Sequence, residues 1–315
     1  MPDGGPGHDL PVLAPNIGYP GIGADLAEAT VGITSPVPTR ARRPLGPVFW
    51  ISAGWVLLMI LLAVLAPVLP LTNPSTQNYS AVNAGPSIHH LLGTDDLGRD
   101  LFSRVIFGSR PSLVIGFLPV VIGLVLGGFT GLLAGYRGGI ADGVLNAASF
   151  VILAFPALLA IMVVEQFWTP VSLGKLTLMF AVIATPLLFR IIRATTLSFA
   201  NREFVVAARA LGARTNRILL RELLPNVIPA AVAFALIGVA TAIVLEGALA
   251  FLGLSIALPS PSLGNIINEG VNNNLLQSNP YIAVWPSLYI FLILTALNLM
   301  ADRLRSAFDI RDVKL

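Results

Sequence analysis

The chain has 315 residues, of which 55% are hydrophobic and 11% charged, with a formal charge of +3 and no cysteine. Soluble domains carry about a quarter charged residues, and surface area limits what one domain hides, so this composition excludes an ordinary soluble globule. Disulfides, thiolate metal sites and cysteine nucleophiles are excluded with the cysteines.

Residues 1–43 are rich in Pro and Gly and hold no long apolar run. No charged segment followed by an apolar one occurs there, so no cleavable signal is read, and a disordered tail is expected. A bilayer core of roughly 30 Å takes about 20 mostly apolar residues per helix. Six stretches qualify: 48–71, 112–135, 143–164, 176–192, 228–257 and 282–301. Hydrocarbon cannot satisfy an exposed backbone, so these are read as helices. The expected class is an all-α polytopic membrane protein. It divides into the tail 1–43, a first span with an outer segment over 44–111, a five-helix core over 112–301 with an inner loop at 193–226, and a carboxy-terminal tail over 302–315.

Lys and Arg orient the spans. With the amino terminus inside, 15 of the 19 basic residues fall inside, and only Arg99, Arg104, Arg110 and Lys175 fall outside. Both termini are therefore expected in the cytoplasm, in a multi-pass protein of the cytoplasmic membrane. The outer segment 72–111 is predicted to end in a short amphipathic helix over 96–108. The outer loop 258–281 holds no Lys or Arg.

The inner loop reads Glu203-Phe204-Val205-Val206-Ala207-Ala208-Arg209-Ala210-Leu211-Gly212. Good helix formers predict a short helix over 203–211, with Gly212 as a left-handed cap. A second helix follows, with Arg214, Arg217 and Arg221 on one face. Pro225 and Pro229 are expected to punctuate the approach to the fifth span. A short helix with small Ala207, Ala208 and Gly212 and basic edges suits a groove on a soluble partner. It equally suits anionic headgroups at the membrane surface.

The outer segment carries Leu92-Gly93-Thr94-Asp95-Asp96-Leu97-Gly98-Arg99-Asp100, then Ser103-Arg104 and Gly108-Ser109-Arg110. Charges beside a span are costly unless paired or wet, so local pairing among Asp95, Asp100, Arg99 and Arg104 is expected. A turn and capped helix that set the span's entrance is preferred here to substrate contact. Glu246 lies inside the fifth expected span, where a carboxylate faces the bundle interior or water. Hydrogen bonding to a neighbouring helix is preferred for it over lining a path. His89 and His90 are adjacent, but no second ligand cluster supports a metal site. No P-loop, metalloprotease or nucleophile-elbow string occurs, so no catalytic residue and no ATP site is read on this chain.

The loop resembles the "EAA" signature of ABC importer permeases, with Ala207, Ala208, Gly212, Leu224 and Pro225 at the family spacing. The outer string resembles the Leu-Gly-Thr-Asp-x-x-Gly-Arg-Asp element of C-type permeases of the dipeptide, oligopeptide and nickel uptake family. Further similar pieces are Gly138-Gly139 with Asp142, Ala154-Phe155-Pro156, Glu246, Phe251-Leu252-Gly253-Leu254, Pro259-x-Pro261-Ser262-x-Gly264, Asn298, Asp302 and Asp309. The resemblance spans about residues 45–312. It implies a type I ABC importer permease fold, moving di- or oligopeptides by alternating access. It also implies partners: a homologous B-type permease, one or two ABC ATPase subunits that hold ATP and Mg, and an extracytoplasmic substrate-binding protein. Membrane lipid surrounds the chain and no nucleic acid is expected. Carried over as ATPase-coupling candidates are Glu203, Ala207, Ala208, Arg209, Gly212 and Arg214. Gly93, Thr94, Asp95, Gly98, Arg99 and Asp100 are carried as a structural or binding-protein-contact element.

The chain departs from the family at Val206, where the leading Glu of the signature stands, with Glu203 three residues earlier. It departs also at Ala147 and Phe150, where an Arg and an Asp are usual, and at Leu263, where Trp is usual. Nickel, haem or another small solute is the alternative cargo. A transporter driven by an ion gradient is the alternative class, and it would show repeated halves and broken helices.

Overall fold

The structure, a computed structural model, describes residues 45–168, 172–255, 260–272 and 275–308. The expected tail over 1–43 lies outside the described residues, as do Pro259, Asp309, Arg311 and Lys314. Apolar runs become helices α1 Gly46–Leu65, α2 Leu101–Arg137, α3 Gly139–Ala154, α4 Ala157–Phe167 and α5 Leu173–Ala200. The segment after α5 contributes α6 Glu203–Ala210, and α7 Thr215–Phe251 follows it. Then come α8 Leu263–Asn272, α9 Leu275–Ser278 and α10 Tyr281–Phe308. Among the described residues five helices are long and apolar enough to cross a membrane, or six if the α3–α4 pair is one span. No strand occurs there, only an isolated antiparallel bridge between Thr94 and Asp100.

Several bounds differ from expectation. Helix α1 stops at Leu65, short of the expected 71; Ala66 keeps helical angles (φ −44°, ψ −41°) and Pro67 follows it. Helix α2 runs unbroken through the expected boundary at 111/112, with Pro111 and Pro119 inside it. The expected third span over 143–164 is two helices, α3 and α4, bent by 82°. The break sits at Phe155, which is extended (φ −83°, ψ 132°), and Pro156, which cannot donate to the preceding turn. Pro225 and Pro229 do not end a helix: α7 continues through them after a π-helical turn over Ile218–Leu223. That wider turn finishes just before Pro225, where a regular turn would drive the ring into the carbonyl four residues back. Between the end of α5 and the start of α7 lie only residues 201–214, which include α6. Helix α10 runs on to Phe308, past the expected end of the core at 301.

Helix α2 is the central post. Gly116, Gly123, Gly127, Gly131 and Gly135 lie along it, and the last four face α5. A Cβ on Gly127 would stand 2.3 Å from the Thr185 carbonyl oxygen, and one on Gly131 would stand 2.6 Å from that of Phe189. In lipid, where burial between helices gains little hydrophobic energy, such close backbone contact is what holds helices together. A mid-level cluster joins Val56 and Met59 of α1, Leu113 and Val120 of α2, Val239 and Ile243 of α7, and Ile293 and Leu297 of α10. Two further clusters close the ends of the bundle. Leu101, Val105, Leu263, Ile266 and Ile282 gather at one. Leu132, Ile192, Val205, Ile218 and Val227 gather at the other. Large apolar side chains such as Phe129 and Phe167 face outward at 68% and 87% exposure, as a lipid-facing surface allows and a water-facing one resists.

Candidate functional site

The two sets of residues singled out in the sequence stand at opposite ends of α2, about 50 Å apart at 1.5 Å per residue. At the carboxy-terminal end of α2, α6 is anchored by Val205, which is completely buried against Leu132, Ile218 and Leu223. Ala208 is partly buried on the same side. Helical spacing then turns Glu203, Val206, Ala207 and Ala210 outward, and all four are exposed. Gly212 adopts φ +77°. Its N–H donates to Arg209 O, and the Ala213 N–H donates to Ala208 O, both at 3.0 Å, which is a Schellman cap. The cap throws Leu211 out to 88% exposure. Leaving one leucine in water forgoes about 1.5–3 kcal/mol, so a surface of this kind gains by being covered.

Charge edges this small face. Arg209 lies 5.5 Å from the Tyr136 ring at the end of α2, a cation–π contact that steadies α6 against the bundle. Arg214, Arg217 and Arg221 are exposed, whereas Ile218 is buried and Leu224 partly so. Glu203 opens α6, where the helix dipole favours a carboxylate. Val206, in the place of the usual acid, is 53% exposed on the same outward side.

At the other end the string 93–100 folds into a tight loop. Gly93 and Gly98 take φ +86° and +70°, and a Cβ on Gly98 would lie 1.9 Å from the Asn78 carbonyl oxygen. Thr94 is buried and its hydroxyl donates to Ala81 O and accepts from the Ala84 N–H. Asp100 caps α2 by accepting from the Ser103 N–H at 2.9 Å. Its other oxygen meets His90 Nδ1 at 3.0 Å. Asp100 therefore does not pair with the arginines, because capping the helix uses its carboxylate.

Asp95 is wholly buried and accepts from the Leu97 N–H, the Arg99 N–H, Arg99 Nε and Arg104. Both guanidiniums continue to Glu269 of α8. Arg99 Nη2 donates at 2.9 Å, Arg104 Nη1 at 2.6 Å and Arg104 Nη2 at 3.0 Å. The carboxylates of Asp95, Asp96 and Glu269 crowd within 4.8 Å, and the two guanidiniums among them offset that negative charge. Burial, then Asp95 and Glu269, push the Asp96 carboxyl above the usual carboxylate range, against the pull of Arg99 and Arg104.

Sequence reasoning missed Glu269. Its signal was available, because it is the sole charged residue between 258 and 281 and two arginines stood outside in need of a partner. Glu246 is 1% exposed and accepts from Ser112 Oγ of α2 at 2.8 Å and from Ser255 Oγ at 3.1 Å. It ties α7 to α2 and to the turn after α7. Glu165 of α4 was also missed. It is 2% exposed and its carboxylate has no hydrogen-bond partner among the described residues. Phe150 carries the Arg190 guanidinium 4.3 Å above its ring. Asp142 holds Arg193 through both nitrogens Nε and Nη2.

Residues 123–311 match the family model described as binding-protein-dependent transport system inner membrane component. The dipeptide transport system permease protein DppC of Alkalihalophilus pseudofirmus is 35% identical over 250 residues, covering 79% of this chain and 81% of that protein. The glutathione transport system permease protein GsiD of Pectobacterium atrosepticum is 37% identical over 262 residues, covering 82% and 86%. The fold is similar to that of a chain of the MetNI methionine ABC transporter in an inward facing conformation. The TM-score there is 0.55 at 20% identity, over 66% of this chain and 97% of that one. The chain is a multi-pass membrane protein and belongs to the family of binding-protein-dependent transport system inner membrane components.

Proposed function

We propose that this chain is a C-type permease subunit of an ATP-driven importer that moves di- or oligopeptides across the cytoplasmic membrane by alternating access. Its termini lie in the cytoplasm, following the distribution of Lys and Arg. The observation that carries the reading is the outward face of α6, small and apolar, rimmed by arginines and ended by the Gly212 cap. An ATPase subunit binds that face and carries the ATP and Mg. A B-type permease completes the path, and an extracytoplasmic binding protein delivers cargo to the end that holds Gly93–Asp100. Peptide as the cargo rests on the dipeptide and glutathione transport named for the relatives.

Replacing Gly212 tests the docking. In membranes that hold the complete assembly, Gly212→Val is expected to abolish ATPase copurification and ATP-dependent dipeptide uptake while the chain still inserts. Normal uptake by that variant would overturn the reading. Uptake driven by an imposed ion gradient without ATP would support the gradient-driven class instead. The break between α3 and α4 is the feature that makes this second arm worth running.

A further inference from the structure

Between α2 and α7, at the α6 end of the bundle, lies an open cavity of about 690 Å³. Leu124, Leu132, Val227 and Val232 are among its lining, and among the described residues the polar side chains on it are Arg137 and Asn216. Both stand at one end: Arg137 closes α2 and Asn216 lies in the first turn of α7. Both are exposed, and neither has a side-chain hydrogen bond or ion pair among the described residues.

From Leu124 to Arg137 the cavity follows α2 for about 20 Å. That exceeds the depth of one leaflet, about half of the roughly 30 Å hydrocarbon core. An apolar groove of leaflet depth that ends in a guanidinium with no partner among the described residues has two chemistries to satisfy. A second protein helix would cover the apolar walls and would need an acid of its own at the level of Arg137. An anionic phospholipid supplies both parts in one molecule: an acyl chain for the groove, and a phosphate that a guanidinium takes with two parallel hydrogen bonds. Asn216 has a further donor for the ester or glycerol oxygens.

We infer that this groove is a binding site for one anionic phospholipid, with an acyl chain between α2 and α7 and its phosphate on Arg137. The occupant touches Leu219 within the π-helical turn and Leu224 just after it. It therefore sits beside the element that joins α6 to the bundle, and lipid composition gains a route to that junction.

Two measurements test the site in the full chain. The first is retention of phosphatidylglycerol against phosphatidylcholine by the purified protein, read by native mass spectrometry. Wild type is expected to favour phosphatidylglycerol. Arg137→Gln is expected to lower that preference about tenfold, the factor for losing a hydrogen bond between charged groups. Arg303→Gln, an exposed cation on α10, is expected to leave it unchanged. Equal loss in both variants, or no loss in Arg137→Gln, would overturn the proposal. The second measurement keeps the fold intact by placing a photo-crosslinking amino acid at Leu220, which lines the groove and is 60% exposed. A lipid-sized adduct in native membranes supports the site. A protein-sized adduct would make the groove a subunit interface and overturn it.

Discussion

Arg104 of α2 and Glu269 of α8 meet across 165 residues of sequence, joined by two hydrogen bonds of 2.6 and 3.0 Å. Arg104 is wholly buried, so its charge is held by Glu269 and Asp95 alone among the described residues. Helix α8 is thereby bolted to the first turn of the central helix.

Removing one partner of this network should be expensive. Arg104→Met leaves Arg99 as the one cation shared by buried Asp95 and part-buried Glu269, and breaking a buried pair in this way costs about 3–5 kcal/mol. Thermal unfolding of the purified protein should show it. Replacing Arg104 and Glu269 together should cost less than the sum of the two single changes, and additive losses would show that the two are not coupled.

Asp96 should respond in the opposite sense. Its folded carboxyl titrates above the unfolded one, so the folded state binds the extra proton and stability falls as pH rises through that window. Asp96→Asn is therefore expected to stabilise the protein near neutral pH. The gain should vanish as pH falls to the ordinary aspartate range. A pH series of melting temperatures for the two proteins checks the slope.

The glycine face of α2 gives a third outcome. Gly127→Val places a branched side chain where a Cβ would already stand 2.3 Å from the Thr185 carbonyl. Helices α2 and α5 must then separate, at a cost of about 1–3 kcal/mol or more. Gly143→Val, where nothing lies within 4 Å of an added Cβ, is the control and should melt close to wild type.

Leu211 separates docking from folding. At 88% exposure it contributes little to the bundle, so Leu211→Asp should leave the unfolding free energy within about 0.5 kcal/mol of wild type. Copurification of the ATPase should fall with it if α6 is the dock. A pull-down with and without the substitution, beside a melting curve, reads both.

Much of this was legible in the chain itself. The apolar runs, the Lys and Arg asymmetry and the Gly212 cap are local or compositional. A bilayer selects apolar length, and a left-handed cap needs only one residue without a Cβ. The loop signature around Ala207 and the outer string around Asp95 were legible as spacing for the same reason. The bend at Phe155–Pro156 was less so, because Pro111, Pro119 and Pro186 lie inside helices that stay whole. In a bundle, neighbouring helices and local turn adjustments re-satisfy the backbone groups that proline frees. Whether a given proline breaks its helix is thus settled by its surroundings.

The sequence by itself determined that this protein crosses a membrane repeatedly, and which short segment carries the small-residue face. Only the tertiary structure decided that Glu269 completes the Asp95–Arg99–Arg104 network, and that Asp100 serves the helix cap instead. It also decided that Glu246 is bound by Ser112 and Ser255, and that Arg137 stands over an apolar groove. Helix formation and membrane insertion are governed by residues within one segment. Ion pairing and cavity shape depend on which segments pack side by side, and that is written in no single stretch of the chain.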